Sequence, residues 1–156
     1  MTAGQLLRLN FEEVRRRSIK VWRAIPQERL AFKVDPDCMS LAEQVLHVLE
    51  DDFNYAVMLR TGGDLPADPT PWNGRALGTV DEELRFAAPF RSELLDLVAS
   101  FSERDLLERT VNRPSRGYVR TFGDFCLRIA YHEAVHTGQL LRDLRIAGCV
   151  RPDIWD

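Results

Sequence analysis

The stretch His132-Glu133-Ala134-Val135-His136 matches the H-E-x-x-H pattern. On a helix, positions i and i+4 share a face, so two such imidazoles can bind one zinc ion while the adjacent carboxylate activates a water. That is peptidase chemistry, and the flanking residues argue against it. The extended form of the pattern needs Gly three and His six residues after the second His, where this chain has Gln139 and Arg142. An acidic third ligand would come from a further helix downstream, and the acidic residues after His136, namely Asp143, Asp153 and Asp156, have no such helix to present them. The pair keeps a second use. His47 is the one other histidine in the chain, and three His from two helices leave a coordination position open for water or substrate, as catalytic zinc sites do.

These residues need helices to position them, and the apolar spacing supplies four. From Gly4 to about Ile25, Leu6, Leu7, Phe11, Val14, Ile19 and Val21/Trp22 recur at steps of three and four before Pro26 stops the pattern. Ser40 with Glu43 three residues on is a capping-box signature for a second helix, which runs to Thr61-Gly62-Gly63. A third opens near Thr79 on Asp81 and two Glu residues, which favour the positive end of a helix dipole, and runs to Ser102. A fourth follows Thr121 and ends at Gly148, with Pro152 beyond. The Pro- and Gly-rich stretch 61–78 and the stretch 103–120 are read as long loops, the latter with short extended pieces at Thr110 to Val111 and Tyr118 to Arg120. The expected fold class is all-α, a four-helix bundle with long loops between helices two and three and between three and four, forming a single domain over residues 1–156.

On the fourth helix Phe122, Phe125, Ile129, His132, His136 and Leu140 fall along one stripe, so both His sit toward the core. Buried imidazoles need partners, because an unsatisfied polar group costs roughly 1–3 kcal/mol. A shared metal would satisfy one nitrogen of each; hydrogen-bonded core His is the alternative. His47 belongs to the polar side of the second helix with Glu43, Gln44, Glu50, Asp51 and Asn54. That side is either a solvated surface or, in a bundle, the lining of a metal cleft.

The whole chain bounds the function. At 156 residues with net charge −3 and no basic stripe, it does not look like a nucleic-acid binder. No apolar run of about 18 residues is present to span a bilayer, and the amino terminus becomes charged too early for a secretory signal. Cys38, Cys126 and Cys149 form no C-x-x-C pair and are read as reduced, mostly packing residues. A cytoplasmic protein is the expectation.

His47 after the capped start SLAEQVL, taken with HEAVHTGQLLRDLRIAG, resembles the DinB-like (DinB/YfiT) superfamily of helical bundles. Its motif of one His on helix two, then His-x-x-x-His, x-Gly-Gln and a Leu-rich stretch ending in Gly, maps onto His47, His132, His136, Gly138, Gln139, Leu140, Leu141, Leu144 and Gly148. Thr137 stands where relatives commonly have Arg, and Val135 where they often have His. The resemblance implies a divalent metal, zinc or nickel, held by His47, His132 and His136. It also implies a homodimer and activities such as S-transfer or isomerisation with low-molecular-weight thiols; the expectation is such an enzyme acting on a small molecule, with a metal-dependent hydrolase or a non-catalytic metal- or ligand-binding helical module as the alternatives. The position after the first His varies in such relatives, so Glu133 is not an obligatory base, although it remains the candidate catalytic residue for proton transfer. Glu50 and Asp51 share with it the possible role of orienting the imidazoles. Arg113, Arg116 and Arg120 are candidates to receive a thiol cofactor's carboxylates, and Trp72 either covers the cleft or anchors its loop.

Overall fold

The computed structural model describes residues 1–155; Asp156 lies outside them. Among the described residues the chain is mostly helical with one small antiparallel sheet. Its elements are α1 (Ala3–Arg23), α2 (Leu41–Thr61), α3 (Val80–Ser100), α4 (Glu103–Glu108), β1 (Thr110–Arg113), β2 (Tyr118–Thr121) and α5 (Phe122–Ile146).

Local chemistry explains the helix starts. Thr2, Ser40, Thr79 and Ser102 each accept from the backbone N–H three residues on, and the side chain at that third position reaches back, closing four capping boxes. Thr121 caps α5 by accepting from the Asp124 N–H. Gly62 closes α2 in the left-handed region at φ 68°, a conformation with little steric cost for glycine. Pro89 lies inside α3 without ending it. An interior proline costs about 3 kcal/mol of helix stability, so the burial of Ala87, Arg91, Leu94, Leu95 and Val98 on the same helix outweighs it.

The stretch expected as a loop at 103–120 is more ordered than the sequence reading had it, and the chain is not purely helical. It begins with α4, which Ser102 and Asp105 cap. It continues as a hairpin in which Thr110 pairs with Thr121 and Arg113 with Tyr118. The β-branched and aromatic residues of both strands suit a pleated surface, and buried Val111 fastens the hairpin to the apolar core.

α1 packs on α3 and α5, and α2 packs on the same two helices. Two apolar clusters result. One gathers Phe11, Met58, Leu59, Leu94, Phe122 and Phe125; the other gathers Val21, Trp22, Leu41, Leu49, Leu140 and Leu144. Each long helix contributes to both clusters, and between its two contributions it carries one charged residue that is at most 8% exposed: Arg15, Asp52, Arg91 or Glu133.

At the far end of α1, Gly4 lies against the C-terminal turn of α3. A Cβ there would stand 2.7 Å from the Val98 carbonyl oxygen, 2.8 Å from that of Phe101 and 2.9 Å from that of Ala99. Backbone oxygens cannot yield as a flexible side chain would. Gly4→Ala is therefore expected to lose about 1–3 kcal/mol in chemical denaturation, the usual cost of overpacking; an unchanged midpoint would show that the helix ends part freely.

Candidate metal centre

α2 carries His47, Asp51 and Tyr55 at steps of four, and α5 carries Arg128, His132 and His136 at the same step. The two helices pack together, so Gln44, His47 and Asp51 of the polar side of α2 face α5, while Glu43 stays exposed. Gln44 donates to Asp143 across the same interface at 2.9 Å.

The three imidazoles converge through their Nε2 atoms. His132 Nε2 lies 3.1 Å from that of His47 and 3.0 Å from that of His136. The three rings form a group that could hold a metal ion, with ligand atoms all within 4.8 Å of one another. An imidazole Nε2 has in its ring plane either one hydrogen or one lone pair. His132 Nε2 therefore serves one of its two close neighbours as a hydrogen-bond partner and leaves the other unserved. A cation among the three would take a lone pair from each. Tetrahedral zinc with nitrogens at 2.0–2.1 Å sets them about 3.3 Å apart, close to the spacing found here, so the residues fit a divalent metal.

The surroundings keep these donors available. Burial, with the nearby charge of His47, pushes His132 down to about 4; burial, then His132 and His47, does the same to His136. Both are neutral near pH 7, as a ligand must be. Asp51 Oδ2 lies 3.5 Å from His132 Nδ1, the carboxylate position that orients a metal-bound imidazole. Burial raises the Asp51 carboxyl, while His47, Asn54 and Tyr55 act in the opposite direction. Tyr55 also stacks edge-on to Phe125 and His132.

Glu133 lies on the side of α5 that faces α1. It is almost fully buried, and both its oxygens accept from Arg15, at 2.7 and 3.2 Å. Arg15 also donates twice to Asp52, at 2.9 and 3.1 Å, and Arg91 donates to Asp52 at 2.9 Å and to the Phe11 carbonyl. The four charges come one from each long helix and balance. Burial alone would depress Arg15, but the charges of Asp52 and Glu133 outweigh it and raise the guanidinium; Arg91 is lowered by burial and by Arg15. Asp52 follows Asp51, and Glu133 follows His132, so this network fixes the backbone on both sides of the imidazoles. The Glu133 carboxylate is thus committed to Arg15, a point against the peptidase reading of HEAVH.

The other candidates separate. Glu50 accepts from the Thr70 hydroxyl and fastens the 62–79 loop. Trp72 packs on Phe86 and Phe90, each ring 5.1 Å away, and so anchors that loop. Arg113 and Arg120 line a cavity of about 420 Å³ that His132 also borders, whereas Arg116 does not. Arg128 and Tyr55 line it too, and their spacing of one turn from His132 and two turns from His47, respectively, is the signal of this in the sequence. Cys126 is buried, and its thiol is pushed up to about 12, so it is a packing residue; Cys38 is exposed. Of the departures from the family motif, Thr137 is buried and meets the Ser18 hydroxyl at 2.8 Å, and Val135 borders the cavity.

A family model described as the DinB superfamily matches residues 10–140. The chain belongs to the DinB superfamily. A crystal structure of a DinB-like protein from Bacillus subtilis matches this DinB-superfamily chain with a TM-score of 0.72 over 96% of both chains, at 18% identity, which shows a shared fold. No curated protein matches the chain in sequence. No helix among the described residues is long and apolar enough to cross a membrane.

Proposed function

We propose that His47, His132 and His136 hold one divalent metal, zinc or nickel, and that the protein is a metal-dependent enzyme acting on a small molecule. The carrying observation is the double contact of His132 Nε2 with two other Nε2 atoms at 3.0 and 3.1 Å, which a cation satisfies and a single hydrogen bond does not. The proposed reaction is transfer or conjugation of a low-molecular-weight thiol within a single four-helix-bundle domain, working in the cytoplasm as a homodimer.

When bound, such a metal supplies a Lewis acid whose open position lowers the pKa of a thiol or water. The chain's own residues do the rest. Asp51 places a carboxylate oxygen 3.5 Å from His132 Nδ1, and the Arg15–Glu133 and Arg15–Asp52 pairs tie α5 and α2 to α1. Tyr55 and Phe125 give the adjoining cavity an apolar wall, which limits water at the reacting end of a substrate.

Metal analysis of protein purified without an affinity tag should find one zinc or nickel per chain, and an electrophilic small molecule should be consumed only when a low-molecular-weight thiol is added. Protein that takes up neither metal would overturn the reading. Turnover that ignores added thiol would replace transfer by hydrolysis at the same centre.

A further inference from the structure

The cavity beside the three histidines has a charge surplus that the metal reading leaves unused. Arg113, Arg120 and Arg128 all lie over the ring of Tyr118, with guanidinium carbons 6.0, 5.2 and 5.5 Å from its centroid. Two of these cations have carboxylate partners: Arg113 pairs with Asp64 at 2.9 Å, and Arg120 Nη1 pairs with Asp124 at 2.6 Å. Arg128 has no ion pair among the described residues. Arg120 Nε is buried and has no hydrogen-bond partner. A buried donor left unmade costs roughly 1–3 kcal/mol, and with Asp64 and Asp124 offsetting two of the cations, Arg128, exposed at the cavity, carries the one positive charge that no carboxylate offsets. The cavity, about 420 Å³, is within the size range of small-ligand sites.

We propose that this cavity is a carboxylate subsite for a small organic acid with an apolar or aromatic body. The carboxylate seats against Arg128, the one cation of the three without a carboxylate partner, in a charge-assisted contact. The body lies along Tyr118, Phe125 and Val135, and the far end comes beside His132. The net surplus of one positive charge selects a monoanion over a phosphate ester, and the apolar wall selects an acid with a hydrophobic body. The subsite rests on the metal-centre reading only for what happens at that far end; binding of the acid does not need the metal.

The test uses metal-free wild-type protein titrated by calorimetry with 3-phenylpropionate and with 3-phenylpropanamide, which has nearly the same shape and no charge. The acid should bind at least roughly tenfold more tightly than the amide. Arg128→Gln should erase that preference while keeping the wild-type metal content, and Arg116→Gln, outside the cavity, should keep the preference. Equal binding of acid and amide, no binding of either at millimolar concentration, or an unchanged preference in Arg128→Gln would each overturn the subsite. Acid preference in a wild type that takes up no metal would leave the subsite standing and bring down the metal centre instead.

Discussion

Asp52→Ala is expected to destabilise the protein by about 3–5 kcal/mol, the cost of removing one member of a buried ion pair and leaving the other uncompensated. Asp52 is the acceptor shared by both arginines, three of whose hydrogen bonds end on it. Its loss leaves Arg15 with Glu133 alone and Arg91 with only the Phe11 carbonyl and a Glu133 oxygen 3.8 Å away. For a chain of this length the melting temperature should fall by roughly 10–15 °C, measurable by circular dichroism. Glu133→Gln separates two roles for the same residue. A positioning residue loses stability on that change, whereas a catalytic base would lose turnover with its melting curve intact. A melting temperature within a degree of wild type for both variants would show that the network contributes nothing.

His47→Ala is expected to abolish metal-dependent stabilisation without unfolding the metal-free protein. Any ligand that binds only the native state adds RT ln(1 + [L]/Kd), about 2.7 kcal/mol at a hundredfold excess over Kd. Wild type titrated with zinc or nickel should show that gain. The His47 side chain is 39% exposed, and its ring meets the other two imidazoles and lies 3.8 Å from an Asp51 oxygen, so truncation removes little packing. Two remaining ligands from one helix should bind at least roughly a hundredfold more weakly, exceeding the usual loss for a residue that merely supports a ligand. Equal zinc-dependent shifts in wild type and His47→Ala would remove His47 from the centre. Equal shifts in Glu133→Gln and wild type, by contrast, are what a residue outside the ligand set should give.

The helix starts were legible because their causes are local. Ser40 with Glu43 and Thr121 with Asp124 act within one turn, so a reader of the chain can locate α2 and α5 closely. The extended pieces around Thr110 and Tyr118 were legible for the same reason, as residues that suit strands. The short helix α4 was equally local and was passed over, although Ser102 and Asp105 carry its cap. The stripe on α5 was placed slightly off its true centre. Cys126, Ala130, Glu133, Thr137 and Leu144 are among its buried residues, while His132 lies at its edge, only partly buried. Two charged or polar residues in that set are inward because Arg15 and Ser18 of α1 meet them, and no property of α5 alone announces such partners.

By itself, the chain determined its helices, their caps and the presence of three imidazoles at spacings that suit a shared centre. Helical period says which side chains share a face; it is silent on what packs against that face. Only the tertiary structure decided that the polar side of α2 meets α5, bringing His47 within 3.1 Å of a histidine 85 residues away. It likewise decided that Glu133 turns to Arg15 and that Arg128 joins two other cations around Tyr118. Each of these outcomes depends on how separate helices pack, and the packing follows from the two apolar clusters that hold the four long helices together.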